Sequence, residues 1–157
     1  SLPGENIDKL RRKLNENCML SEKDLSEKIT IDMQLPFSKI SPKFIDEIKL
    51  LEPFGKGNTK PVFAEKNLVI RSARVLGRNK NVLKMRLENA EHVILDAVYF
   101  GEGEKFIGYL EGKYGKQEVT ELLTGGRSQV TIQATFYPEI NDYLGRKTLQ
   151  IVVMHYR

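Results

Sequence analysis

The chain has 157 residues, 40% of them hydrophobic and 29% charged, a balance that excludes a disordered or fibrous polymer and suits one domain or two small ones. No apolar run approaches the ~20 residues that cross a bilayer, and Ser1, Leu2, Pro3, Gly4 and Glu5 lack the basic-then-apolar order of a signal peptide, so the chain reads as intracellular, cytoplasmic and without a membrane partner. Cys18 is the single cysteine, and His92 and His155 lie far apart in sequence, which leaves no internal disulfide, no zinc spacing and little material for metal or histidine chemistry.

The net charge of +4 gains meaning from its distribution. Arg71, Arg74, Arg78, Lys80, Lys84 and Arg86 follow one another with no acid between them, whereas the stretch from Glu88 to Glu121 is acid-rich. One surface is therefore expected to be basic and another acidic.

In chain order, Ile7, Leu10 and Leu14 recur at helical spacing. Ser21 with Asp24 resembles a capping box that opens a short helical turn. Ile29, Ile31 and Met33 alternate with polar residues, as in a half-buried strand. Ser41 as N-cap and Pro42 at the first helical position start a helix whose Phe44, Ile45, Ile48 and Leu51 share a face, and Pro53 ends it. Turn formers then crowd from Glu52 to Pro61. A Gly-x-Gly loop cradles a nucleotide when a helix comes next, but a strand comes after Gly55 and Gly57, so the segment reads as a linker and the boundary between two units, 1–60 and 61–157.

Beyond it the pattern is mostly strand. The first segment, Leu68 to Leu76, carries Arg71 and Arg74 on opposite parities, so both reach one face only across a bulge. Leu83, Met85 and Leu87 alternate with Lys84, Arg86 and Glu88 in the second, after a basic turn at Gly77–Asn81. The third, Val93 to Phe100, is almost continuously apolar and is expected to be buried on much of both faces. Helical spacing comes next, at Phe106, Ile107, Leu110 and Tyr114 and again at Val119, Leu122 and Leu123, until Gly125 and Gly126. The fourth strand points Val130, Ile132, Ala134 and Phe136 inward and Thr135 and Tyr137 outward; the fifth, Thr148 to Tyr156, comes after a loop containing Tyr143 and Gly145. Three strands, a helical insertion and two more strands give a mainly β, α+β chain: a five-stranded OB-fold barrel preceded by a small α/β segment and a linking helix.

Single-stranded nucleic acid needs cations for its phosphates and flat rings for its bases. Arg74, Arg78, Lys80, Lys84, Arg86, Arg146 and Lys147 are the candidate phosphate contacts, and Tyr143, Tyr99 and Tyr137 the candidate stacking rings. Phe100 and Phe136 are expected in the core. His92 and His155 read as hydrogen-bonded surface groups. Asp96 is read as a satisfied structural carboxylate in preference to a partner for a basic residue across the sheet. No constellation for nucleophilic or two-metal hydrolysis is visible.

At Leu51 to Phe63, LEPFGKGNTKPVF, the sequence resembles the signature that joins the second catalytic-core domain to the OB-fold in RecJ-type single-strand-specific DNA exonucleases of the DHH/DHHA1 superfamily. Glu52, Pro53, Phe54, Gly55, Gly57, Asn58, Pro61 and Phe63 fit, and Thr59 stands where that family usually has Pro. Arg74, Val75, Gly77, Leu83, Lys84, Arg86, Asp96, Ala97, Phe100, Gly101 and Gly103 resemble its OB strands, and INDYLGRKTLQI its last hairpin, with Leu144 where Asn is common. The resemblance implies a C-terminal fragment: residues 1–60 as the end of a DHHA1-like domain with its linker helix, residues 61–157 as the OB-fold that grips single-stranded DNA. It further implies that the 5′ to 3′ exonuclease of DNA repair and recombination, with its Mn or Mg, belongs to upstream motifs this chain lacks, and that the fragment itself has no cofactor. The expected partners are single-stranded DNA, the enzyme's own catalytic core and a single-strand-binding protein; the alternative is a protein-docking module that works through the acid-rich stretch from Glu102 to Glu121.

Overall fold

In the computed structural model, residues 3–21, 24, 28–126 and 128–157 are described, except for the side chains of Glu5 and Tyr143. Two compact units separate at Ser1–Thr30 and Ile31–Arg157. In the first, a 3-10 turn at Gly4–Asn6 leads into α1 (Ile7–Glu16), whose Asp8 in the first turn and Lys13 in the last complement the helix dipole. Its Ile7, Leu10 and Leu14 are exposed. Ser21 donates both its amide and its hydroxyl to the Asp24 carboxylate, at 2.8 and 2.6 Å. The helical turn expected after it lies outside the described residues.

The second unit begins with a short parallel strand, β1 (Met33–Gln34), on β2 (Phe63–Leu76). The half-buried strand expected around it is corrected: Ile29, Ile31 and Met33 are all exposed, and the chain turns inward only at Leu35 and Phe37. In α2 (Pro42–Lys49), the Ser41 hydroxyl accepts the Phe44 N–H at 3.1 Å, and Ile45 and Ile48 are buried. The helix stops at Lys49, before Pro53, so Leu51 lies beyond it and is exposed. The unit boundary also moves. Leu35, Phe37, Ile40, Ile45 and Ile48 share one core with the barrel strands, so residues 31–60 fold with the barrel, and the division falls at 30/31 instead of 60/61.

The remaining strands are β3 (Val82–Glu88), β4 (Ile94–Phe100), β5 (Thr131–Tyr143) and β6 (Arg146–Tyr156), with α3 (Gly103–Tyr114) and α4 (Lys116–Thr124) between β4 and β5. They pair in the order β2-β3-β4-β6-β5, and β5 returns to β2 to close the barrel, the OB arrangement with its helical insertion in the expected place. β2 serves both neighbours because it is bulged twice, between Glu65 and Leu68 against β5 and between Ile70 and Ser72 against β3. The second irregularity is the bulge anticipated from the arginine parities. Leu68, Ile70, Leu83, Met85, Leu87, Ile132, Phe136 and Ile151 fill the interior, and Phe106, Leu110, Val119 and Leu122 of the two helices add to it.

β5 and β6 meet in a two-residue hairpin, Tyr143 opposite Arg146, with φ of +52° at Leu144 and +77° at Gly145. Such a turn suits Asn-Gly, since a leucine in the left-handed region brings its Cβ against the carbonyl. Leu144 is 86% exposed and gains no packing in return. Leu144→Asn is expected to stabilise the chain by about 1 kcal/mol, raising the midpoint of a thermal melt by roughly 2–4 °C.

Candidate nucleic-acid interface

Paired residues of adjacent strands share a face, and so do residues two apart along one strand. On the outside of the barrel this brings Arg74 of β2 opposite Lys84 of β3, Ser72 opposite Arg86, and Arg86 opposite Asp96 of β4. Together with Leu76 these side chains line a groove of about 390 Å³. Asp96 reaches Lys84 at 3.5 Å and Arg86 at 3.9 Å, which makes it the cross-sheet charge partner and corrects its reading as a purely structural carboxylate. Three cations facing one carboxylate leave the groove positive.

Other sequence candidates fall at different distances from this groove. Arg78 is exposed in the β2–β3 turn, and Arg146 and Lys147 are exposed at the β5–β6 hairpin. Arg146 has the parity of Gln150, which registers with Asp96, so it continues the same face; Lys147 has the opposite parity. Lys80 leaves the face: its ammonium pairs with Glu104 of α3 at 2.9 Å, its carbonyl accepts the Gly103 N–H, and it borders a separate, largely apolar groove with Val75, Ile107 and Leu123. Arg71, the bulge residue, is taken up by Glu88, which also accepts from His92 at 2.7 Å. The Arg71 guanidinium and then His92 hold the Glu88 carboxyl down to about 2.

The tyrosines depart most from expectation. Tyr99 packs inward, its ring 5.5 Å from Phe106 and 5.4 Å from Tyr156, and is corrected to a core-edge residue. Tyr137 has the outward parity expected of it, in register with Val152, yet is only 5% exposed. Phe54 of the linker meets its ring edge-on at 6.3 Å and the Lys60 ammonium sits 3.8 Å above it. Burial pushes the Tyr137 phenol up, and Glu52 and Glu139 add to the shift. The linker motif therefore has a structural job. Gly55 and Asn58 exchange backbone hydrogen bonds around a turn with φ of +91° at Gly57, and the Asn58 amide donates to Leu51 and Pro53 carbonyls, which sets Phe54 and Lys60 over the barrel. Tyr143's side chain lies outside the described part.

Phe100, expected in the core, is 64% exposed. It pairs with Val82, which pairs with Leu76, and this row has the parity of Arg74 and Lys84. Phe100 is thus an outward aromatic on the cationic face, and what reveals it is the register with Val82, two residues before Lys84.

Among the described residues no group of three His, Cys, Asp or Glu side chains is arranged to hold a metal ion. Asp96 is committed to cations and Glu88 to Arg71 and His92. These residues do not fit the divalent-metal site that the resemblance implies for a nuclease core. No described helix is long and apolar enough to cross a membrane.

Comparison with known proteins agrees with this architecture. Two crystal structures of RecJ from Thermus thermophilus, one with Mn2+ and one with Mg2+, superpose with TM-scores of 0.53 and 0.55 at 19% identity, covering 82% of this chain and 16% of theirs, a likeness of fold. The single-stranded-DNA-specific exonuclease RecJ of Bacillus subtilis (strain 168) is 30% identical over 161 residues, which takes in 98% of this chain and 20% of that protein. This chain therefore spans about a fifth of the length of that curated relative. The profile of the RecJ OB domain matches residues 31–155, starting where the second unit starts, and the chain belongs to the RecJ OB-domain family.

Proposed function

We propose that this chain is the single-strand-binding region of a RecJ-type exonuclease. Its barrel holds DNA, while phosphodiester hydrolysis, with the Mn or Mg it uses, is carried out by a core outside these residues. The main support is the gathering of Arg74, Lys84 and Arg86 in one groove on the β2–β3–β4 face, the face on which OB barrels commonly take oligonucleotides. Arg78 in the β2–β3 turn and Arg146 at the start of β6 are further exposed cations outside the groove lining that a longer strand could reach. Phosphate contacts of this kind hold a strand in place without reading its sequence, as a nuclease acting on any single strand requires. Residues 1–30 are assigned to the end of a preceding DHHA1-like domain, whose partner surface is the exposed apolar side of α1. Docking on the enzyme's own core or on a single-strand-binding protein is a second role, for which the apolar groove of about 300 Å³ between the β2–β3 turn and α3–α4 is the cue.

The test is fluorescence anisotropy with labelled oligothymidine over a salt series. Three neutralised phosphates should give a log–log slope of roughly 2. Absence of binding at low salt, or an affinity indifferent to salt, would reject the proposal.

A further inference from the structure

We infer that Phe100, flanked by Leu76 and Val82, is the platform on which an unpaired base stacks, and that it gives the barrel its preference for single over double strands; this rests on the DNA-binding reading above. An exposed aromatic on a sheet is ordinary when it stands alone. Three apolar side chains in register on adjacent strands are a different matter. Leu76 is 44% and Phe100 64% exposed, with Val82 half-buried between them.

The neighbouring row chooses the occupant. Lys84 is the diagonal neighbour of Phe100, about 7–8 Å away by sheet geometry, and Arg74 stands one strand farther on, opposite Lys84. A flat apolar group joined to an anion at that separation is a nucleotide, base on the ring and phosphate on the cations. A purely apolar protein segment would match the first row and leave the second unused. A duplex would match the cations, but its bases are stacked on one another and cannot reach the ring.

The experiment measures anisotropy of the 157-residue chain at low salt with three probes of equal length: oligothymidine, the same strand paired with oligoadenosine, and an abasic oligomer. The wild-type chain should bind oligothymidine most tightly. Phe100→Ala should weaken that binding roughly five- to hundredfold and leave the abasic oligomer and the duplex unchanged, while Phe100→Trp should retain it. An unchanged thermal melt verifies the fold, as expected for an exposed ring. An equal loss on all three probes, or no loss on oligothymidine, overturns the platform and assigns the patch to a protein contact. If the wild-type chain binds none of the probes, it is the DNA-binding reading that fails.

Discussion

A chain beginning at residue 61 should fail to form the barrel, whereas one beginning at residue 31 should melt cooperatively. The segment removed in the first case carries Leu35, Phe37, Ile40, Ile45 and Ile48, all buried in the barrel's own core. Phe37 meets Phe136 edge-on with ring centroids 5.8 Å apart, and Phe44 meets Phe63 at 5.7 Å, so two strands lose aromatic neighbours at once. The Phe37 N–H also donates at 3.1 Å to Glu65, whose other oxygen accepts from Asn89 at 3.0 Å; burial raises that carboxyl, and loss of either donor leaves it poorly paired. Phe37→Ala alone should cost about 3–5 kcal/mol, a large part of the ~5–15 kcal/mol by which a domain of this size is stable. Circular dichroism melts of the two truncations and the point variant read the outcome directly. A 61–157 chain that melts where the 31–157 chain does would show that the segment is decoration.

The boundary is hard to see in sequence because the linker's turn formers, Glu52 to Pro61, mark a change of direction and carry no information about which core the preceding helix enters. Alternation is a good guide wherever one face is clearly polar: Lys84 and Arg86 point out, Met85 and Leu87 in, and β5 buries Ile132 and Phe136 as its pattern requires. It gives no parity in β4, where Val93 to Phe100 is apolar at nearly every position, and there the expectation of Phe100 inward and Tyr99 outward is the reverse of what the pairing with Val82 and Leu83 imposes. Tyr137 shows the complementary limit. Its parity is legible in sequence, but its burial depends on Phe54 and Lys60, about 80 residues earlier in the chain. Charge spacing locates the basic face, and only the folded chain reveals that Lys80 turns away to Glu104 and that Asp96 reaches both Lys84 and Arg86.

That last placement makes opposite substitutions on one face act in opposite directions. Lys84→Ala with Arg86→Ala removes two of the three groove cations and should weaken oligothymidine binding at low salt by about 2 kcal/mol, near thirtyfold, taking ~1 kcal/mol for each solvated charge contact. The salt slope should fall by roughly 1.4. In the free protein Asp96 occupies those same cations, so an incoming phosphate must displace it. Asp96→Asn removes the competitor while keeping the shape, and should tighten binding by about 1 kcal/mol, near fivefold, the size of a unit-charge interaction at ~4 Å in a watery groove. A general effect of net charge would give the same signs, and Lys49→Ala on α2, compared with the other variants at physiological salt, separates the two: it lowers the net charge but lies off the groove lining, and at that ionic strength exposed charges are largely screened beyond ~8 Å. A Lys49 variant with unchanged affinity and slope, beside Lys84, Arg86 and Asp96 variants that move both, ties the binding to the groove itself. If Asp96→Asn weakens binding, the carboxylate's role is to hold Lys84 and Arg86 in position and not to compete with phosphate.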